Sequence, residues 1–97
     1  MSEGIVSVEL EKRIRALDVL KDECLSVEDL SVSEKDKIFD HYKRAKINLR
    51  VIYEIECSVD EDFSKNKRDW LDHRNYGYYY SHFENHLRVM RETANLL

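Results

Sequence analysis

His82-Phe83-Glu84-Asn85-His86 sets two imidazoles one helical turn apart, the spacing at which a helix presents two ligands to one metal ion. The glutamate that would follow the first histidine in a zincin-type site is missing, since Phe83 stands there. Asp69 and His73 repeat an i, i+4 carboxylate–imidazole spacing, but the chain has no Glu-x-x-His motif of the kind that builds metal sites inside helical bundles. No metal and no cofactor is therefore expected. Nucleophilic and acid–base catalysis find no better footing. There is no glycine-rich phosphate loop and no nucleophile elbow. Cys24 and Cys57, the only two cysteines, lack an electropositive setting and read as small core residues. Glu54 with Glu56, and Glu84 with His86, stand two apart and cannot share one side of a helix. The expectation is a protein without catalytic activity, and a metal-dependent helical-bundle enzyme is kept as the second alternative.

Basic residues offer a different chemistry. Lys65, Lys67, Arg68 and Arg74 surround Trp70, and a cationic patch beside an aromatic ring is a footprint for nucleic acid. Asp69 and Asp72 interrupt it, and the net charge of −4 provides no overall attraction to phosphate. A nucleic-acid-binding regulator using residues 65–74 is the first alternative.

The aromatic C-terminal third carries the leading expectation. Six of the ten aromatic residues fall between Trp70 and Phe83. Tyr76, Tyr80, Phe83, Leu87, Met90, Ala94 and Leu97 step by four and three, the seam of a helix facing a core. Tyr78, His82, Val89 and Leu96 form a second stripe on nearly the opposite side, joined by Leu71 if the helix is continuous. A helix with water on one side rarely has two apolar faces. That stripe is either packed between two neighbours or turned toward a partner, and tyrosine suits the second use because it brings large contact area with a polar tip. Leu71, Tyr78, His82, Val89 and Leu96 are thus the expected contact residues, with Tyr78 as anchor. The expected function is a protein-binding module, a small regulator or inhibitor that occupies a partner surface, and a second copy of itself is the simplest partner.

The elements that position these residues are marked by a recurring token. Ser-Val-acid appears at Ser7-Val8-Glu9, Ser26-Val27-Glu28 and Ser58-Val59-Asp60, with a looser copy at Ser31-Val32-Ser33-Glu34. A serine oxygen accepts from an unpaired N–H at a helix start, and an early acid suits the helix dipole. Ser31 with Glu34 and Ser58 with Glu61 have full capping-box spacing, and Ser26 with Asp29 a weaker one. A first helix is expected over about Val8 to Asp22, with Leu10, Ile14, Leu17 and Leu20 or Lys21 inward. A second begins after Ser31 or Ser33, with Ile38, Tyr42, Ala45, Leu49 and Ile52 as a heptad-like seam. Residues 47–57 also alternate apolar and polar at the period of a strand. No breaker precedes Leu49, and two strands alone would be marginal, so helix is preferred. Ser58 begins a third helix, Asn75 and Gly77 offer a break, and a last helix spans about Tyr78 to Asn95; one helix from Lys65 to Leu96 is the rival.

The whole chain, 1–97, then reads as one all-α domain, a small bundle of three to four helices with long second and last helices; an α+β domain with a short strand at 47–57 is the alternative. The 97 residues suffice to bury roughly 60–65% of the unfolded surface. A hydrophobic fraction of 42% argues against disorder despite 37% charge. Free thiols, an acidic start at Ser2-Glu3 and the lack of a long apolar run point to the cytoplasm and away from the membrane.

Overall fold

The computed structural model describes residues 2–58 and 76–96, with side chains over 8–57 and 76–96. Three helices account for nearly all of it: α1, Ser2–Leu25; α2, Val32–Ser58; and α3, Tyr76–Thr93. Among the described residues there is no strand, so the chain is all-α there. The strand alternative for 47–57 is corrected, because α2 runs unbroken through it to Ser58. The expected third helix from Ser58, with its Glu61 box, lies outside the described residues beyond Ser58, the last residue of α2. α3 starts at Tyr76, two residues before the expected Tyr78, so Gly77 is helical rather than a break, and continuity ahead of Tyr76 lies outside the described residues.

Local chemistry explains the helix limits. Ser31 and Glu34 form the expected capping box: the Glu34 N–H donates to Ser31 Oγ at 3.0 Å, and the Ser31 N–H donates to Glu34 Oε1 at 2.8 Å. Ser31, through its backbone N–H first and its hydroxyl second, holds the Glu34 carboxyl below the usual glutamate range. The token at Ser7 does not start a helix, since α1 is already helical from Ser2. A helix interior tolerates Ser-Val-Glu once flanking turns supply its hydrogen bonds. The token at Ser26 acts at a helix end instead. Ser26 N–H donates to the Asp22 carbonyl at 3.0 Å and its hydroxyl to the Glu23 carbonyl at 2.8 Å, closing α1. Asp29, at φ 69°, then turns the chain toward α2. At the far end, Asn95 takes φ 63°; Leu96 N–H reaches the Arg91 carbonyl at 2.8 Å and Asn95 N–H the Glu92 carbonyl at 3.1 Å. That pairing is a Schellman motif, which ends α3 two residues before the expected Asn95 limit.

Both neighbours of α2 run antiparallel to it. Arg13 meets Glu56 while Asp18 meets Tyr42 on the α1 side. On the α3 side, His41 meets His86 while Glu56 meets Tyr76. The expected seam of α2 is buried throughout, at Ile38, Tyr42, Ala45, Leu49 and Ile52. At one end Leu17 and Cys24 of α1, Ile38, Tyr42 and Ala45 of α2, and Met90 with Ala94 close a three-helix core. At the other, Ile52 and Ile55 pack on Tyr76, with Val51, Tyr79 and Phe83 around them. Each large apolar side chain taken fully from water in such a core contributes about 1.5–3 kcal/mol. Two flanking helices also explain the apolar excess over 47–57: α2 is covered on a wide arc, and Tyr53 and Ile55 are buried in addition to the seam.

Candidate functional site

Ile47 of α2 and Tyr78 of α3 are the focus of the surface. Ile47 is 62% exposed and Tyr78 61%, and both line a groove of about 230 Å³ along the α2–α3 seam with Arg44, Asn48, Tyr79, His82 and His86. Tyr78 is held by its neighbours rather than left loose. Its ring meets Tyr79 edge-on at 5.2 Å and His82 at 4.4 Å. His82 stands 6.5 Å from His86, and His86 stands 5.0 Å from His41. The i, i+4 spacing of α3 therefore builds a ladder of rings, Tyr78–His82–His86, which crosses to α2 at His41.

The crossing is a direct hydrogen bond. His41 Nδ1 and His86 Nδ1 lie 2.8 Å apart, so one ring donates its N–H and the other accepts. Burial pushes both imidazoles below the usual histidine range, and in His86 the facing His41 adds to that shift. The groove thus has an apolar lip, Ile47 and Tyr78, and a polar floor of imidazole, amide and the Arg44 guanidinium, which pairs with Asp40 at 3.1 Å.

Of the expected contact residues, Tyr78 and His82 lie together in this groove and both are exposed. Val89 is half-buried, two turns or more beyond them. Leu96 is 45% exposed but follows the end of α3, where the Schellman turn carries it off the stripe. Leu71 lies outside the described residues, and so do the basic positions Lys65, Lys67, Arg68, Trp70 and Arg74 and the pair Asp69/His73. Ile47, Arg44 and His86 are groove residues that the contact stripe omitted, and His41 stands behind His86 as its hydrogen-bond partner. Ile47 was visible as an apolar residue off the α2 seam, whereas His41 has no local signal, since its partner is 45 residues away. The core stripe of α3 holds at Tyr76, Met90 and Ala94, while Tyr80 is 36% exposed.

Tyr80 opens onto a second concavity, a cleft of about 290 Å³ between α1 and α3 with Ala16, Leu49, Ile52 and Phe83 as its apolar lining. One wall is polar. Arg13 Nη2 donates to Glu56 Oε1 at 2.9 Å and its Nε to Glu9 at 3.2 Å, and Tyr76 hydroxyl donates to Glu56 Oε2 at 2.9 Å. The acceptor atoms of Glu56 are thereby used to tie three helices, and the Arg13 guanidinium also lies over the Tyr53 ring at 5.1 Å.

Among the described residues no group of three or more histidine, cysteine, aspartate or glutamate side chains is arranged to hold a metal ion. Cys24 is fully buried, and that burial pushes its thiol up, away from thiolate reactivity. Cys57 is exposed, which corrects the expectation of a core position for it. No helix among the described residues is long and apolar enough to cross a membrane. No protein-family model, curated protein or solved structure matches the chain.

Proposed function

We propose that the protein is a non-enzymatic protein-binding module, a small cytoplasmic regulator or inhibitor that acts by covering a partner surface with its α2–α3 face. The observation that carries this reading is the pairing of Ile47 and Tyr78. Two large side chains from different helices, each about three-fifths exposed, flank one groove. Singly exposed apolar residues are ordinary on protein surfaces; a clustered pair that includes a tyrosine braced edge-on by its neighbours is the composition of an interface centre. Tyr78 loses little side-chain freedom on docking because Tyr79 and His82 already restrain its ring.

A second copy of the chain is the simplest partner, since an isologous contact needs only one self-complementary patch. Light scattering over a concentration series tests this form. The expected result is a dimer that Ile47→Asp with Tyr78→Ala converts to a folded monomer. A wild-type monomer at the highest concentration removes the self-association form and leaves a different protein as the partner, to be sought by capture from the native host with the double variant as control. A double variant that unfolds assigns the patch to the core and overturns the reading.

A further inference from the structure

The hydrogen bond that joins the His41 and His86 imidazoles depends on how many protons the pair carries. A pair of Nδ1 atoms 2.8 Å apart has room for one hydrogen between them. With both rings neutral, one nitrogen donates and the other accepts. With one proton added, an imidazolium donates to a neutral ring and the contact survives. With two, both nitrogens carry hydrogen, and two positive charges face each other at contact distance.

Metal chelation is a different use of two imidazoles and does not fit. Two histidines on one tetrahedral zinc ion hold their nitrogens about 3.3 Å apart, for Zn–N bonds of about 2.0–2.1 Å. Here the nitrogens are closer than that. The ring centres are 5.0 Å apart, so the nitrogens meet nearly head-on rather than converging on a third point.

We propose that His41 and His86 form an acid-sensitive latch between α2 and α3, closed above the histidine titration range and opened by double protonation. The groups that face the pair favour opening over accommodation. From α2, Lys37 and Arg44 add positive charge, and Asp40 opposes them. Asp40 is itself paired with Arg44 at 3.1 Å, so it is a divided counter-ion for a histidinium. From α3, His82 acts on His86 in the same sense as His41 does. The sign follows from proton counting. Below the ordinary histidine pKa, about 6.5, the unfolded chain takes a proton on each ring, while the closed seam holds fewer. The latch therefore contributes its full stability above that range and loses it as pH falls through the depressed folded values. Because His86 also lines the groove, opening the latch moves a wall of the α2–α3 face. That last consequence, release of a docked partner in acid, rests on the docking reading; the latch itself does not.

Chemical unfolding of the partner-free protein between about pH 8 and pH 5 tests the latch, where histidine is the side chain that titrates. The wild-type unfolding constant is expected to rise as pH falls, by up to about tenfold per pH unit for one excess proton. His86→Gln, which keeps a hydrogen-bonding amide opposite His41 and removes one titrating ring, should flatten that rise; His41→Gln is the second variant if the first does not fold. Imidazole NMR titration of the wild-type protein is the check that needs no variant, with both rings expected to take protons at lower pH than a free histidine. Equal pH slopes in wild type and both variants, or two rings titrating independently at the ordinary value, overturn the latch. These measurements use no partner, so their failure leaves the docking face standing, and a missing partner leaves them interpretable.

Discussion

The Tyr76 hydroxyl donates to Glu56 Oε2 at 2.9 Å, at the first residue of α3, while Glu56 Oε1 accepts from Arg13 of α1. One carboxylate therefore anchors both outer helices to α2 at the end opposite the Leu17–Met90 core. Tyr76→Phe leaves half of that acceptor without its phenol, and stability measured by urea unfolding should fall by about 1 kcal/mol. Glu56→Ala strips partners from Arg13 and Tyr76 together and should cost about 2–3 kcal/mol. A Glu56→Ala loss no larger than that of Tyr76→Phe would show that Arg13 gains nothing from the carboxylate.

Tyr76 and Tyr42 should resist ionisation in the folded protein. Burial, with the bond to Glu56, pushes Tyr76 well up from the usual tyrosine range; the bond to Asp18, with burial, pushes Tyr42 up to about 12. The folded state keeps these protons where the unfolded chain loses them. Their contribution is full below about pH 10 and falls as pH rises through the folded values. Ultraviolet titration should show the Tyr76 and Tyr42 phenols ionising together with unfolding.

The capping box at the start of α2 is a local and separable contribution. Ser31→Ala removes the acceptor for the Glu34 N–H and should cost about 1 kcal/mol, while Ser31→Asp should be close to neutral. The check is thermal or urea unfolding of both variants, and equal losses in the two would argue that the serine hydroxyl is not what begins the helix.

The thiols should separate cleanly by reactivity. Cys57 is exposed and Cys24 fully buried with its thiol pushed up. A chromogenic disulfide reagent should titrate one thiol in the native protein and the second only at the rate of unfolding. Two fast thiols would mean that the end of α1 frays readily.

The sequence made the α2 seam legible because heptad steps at Ile38, Tyr42, Ala45, Leu49 and Ile52 depend only on helical period. The Ser31–Glu34 box was legible for the same reason: its parts are three residues apart. Alternation over 47–57 misled because a helix gripped from two sides is apolar in more than one direction, which imitates a strand's period. Ile47 is the residue that resolves it, apolar yet 62% exposed, at the lip of the α2–α3 groove rather than in the buried seam. The His41–His86 and Arg13–Glu56 contacts were not legible, since partners separated by 45 and 43 residues meet only once the crossing of two helices is set.

The connection between α1 and α2 is brief, from Ser26 to Ser31, and α1 scarcely touches α3 directly among the described residues. With the outer helices so little in touch, α2 is the shared support through which each is held, and its contact with α3 is the wider of the two. Leu17→Ala and Met90→Ala, each emptying a buried core position, should both cost about 2–5 kcal/mol in urea unfolding. The groove, built where α3 meets α2, then rests on the broader of the two helix pairings, the firmer footing for a surface that has to keep its shape.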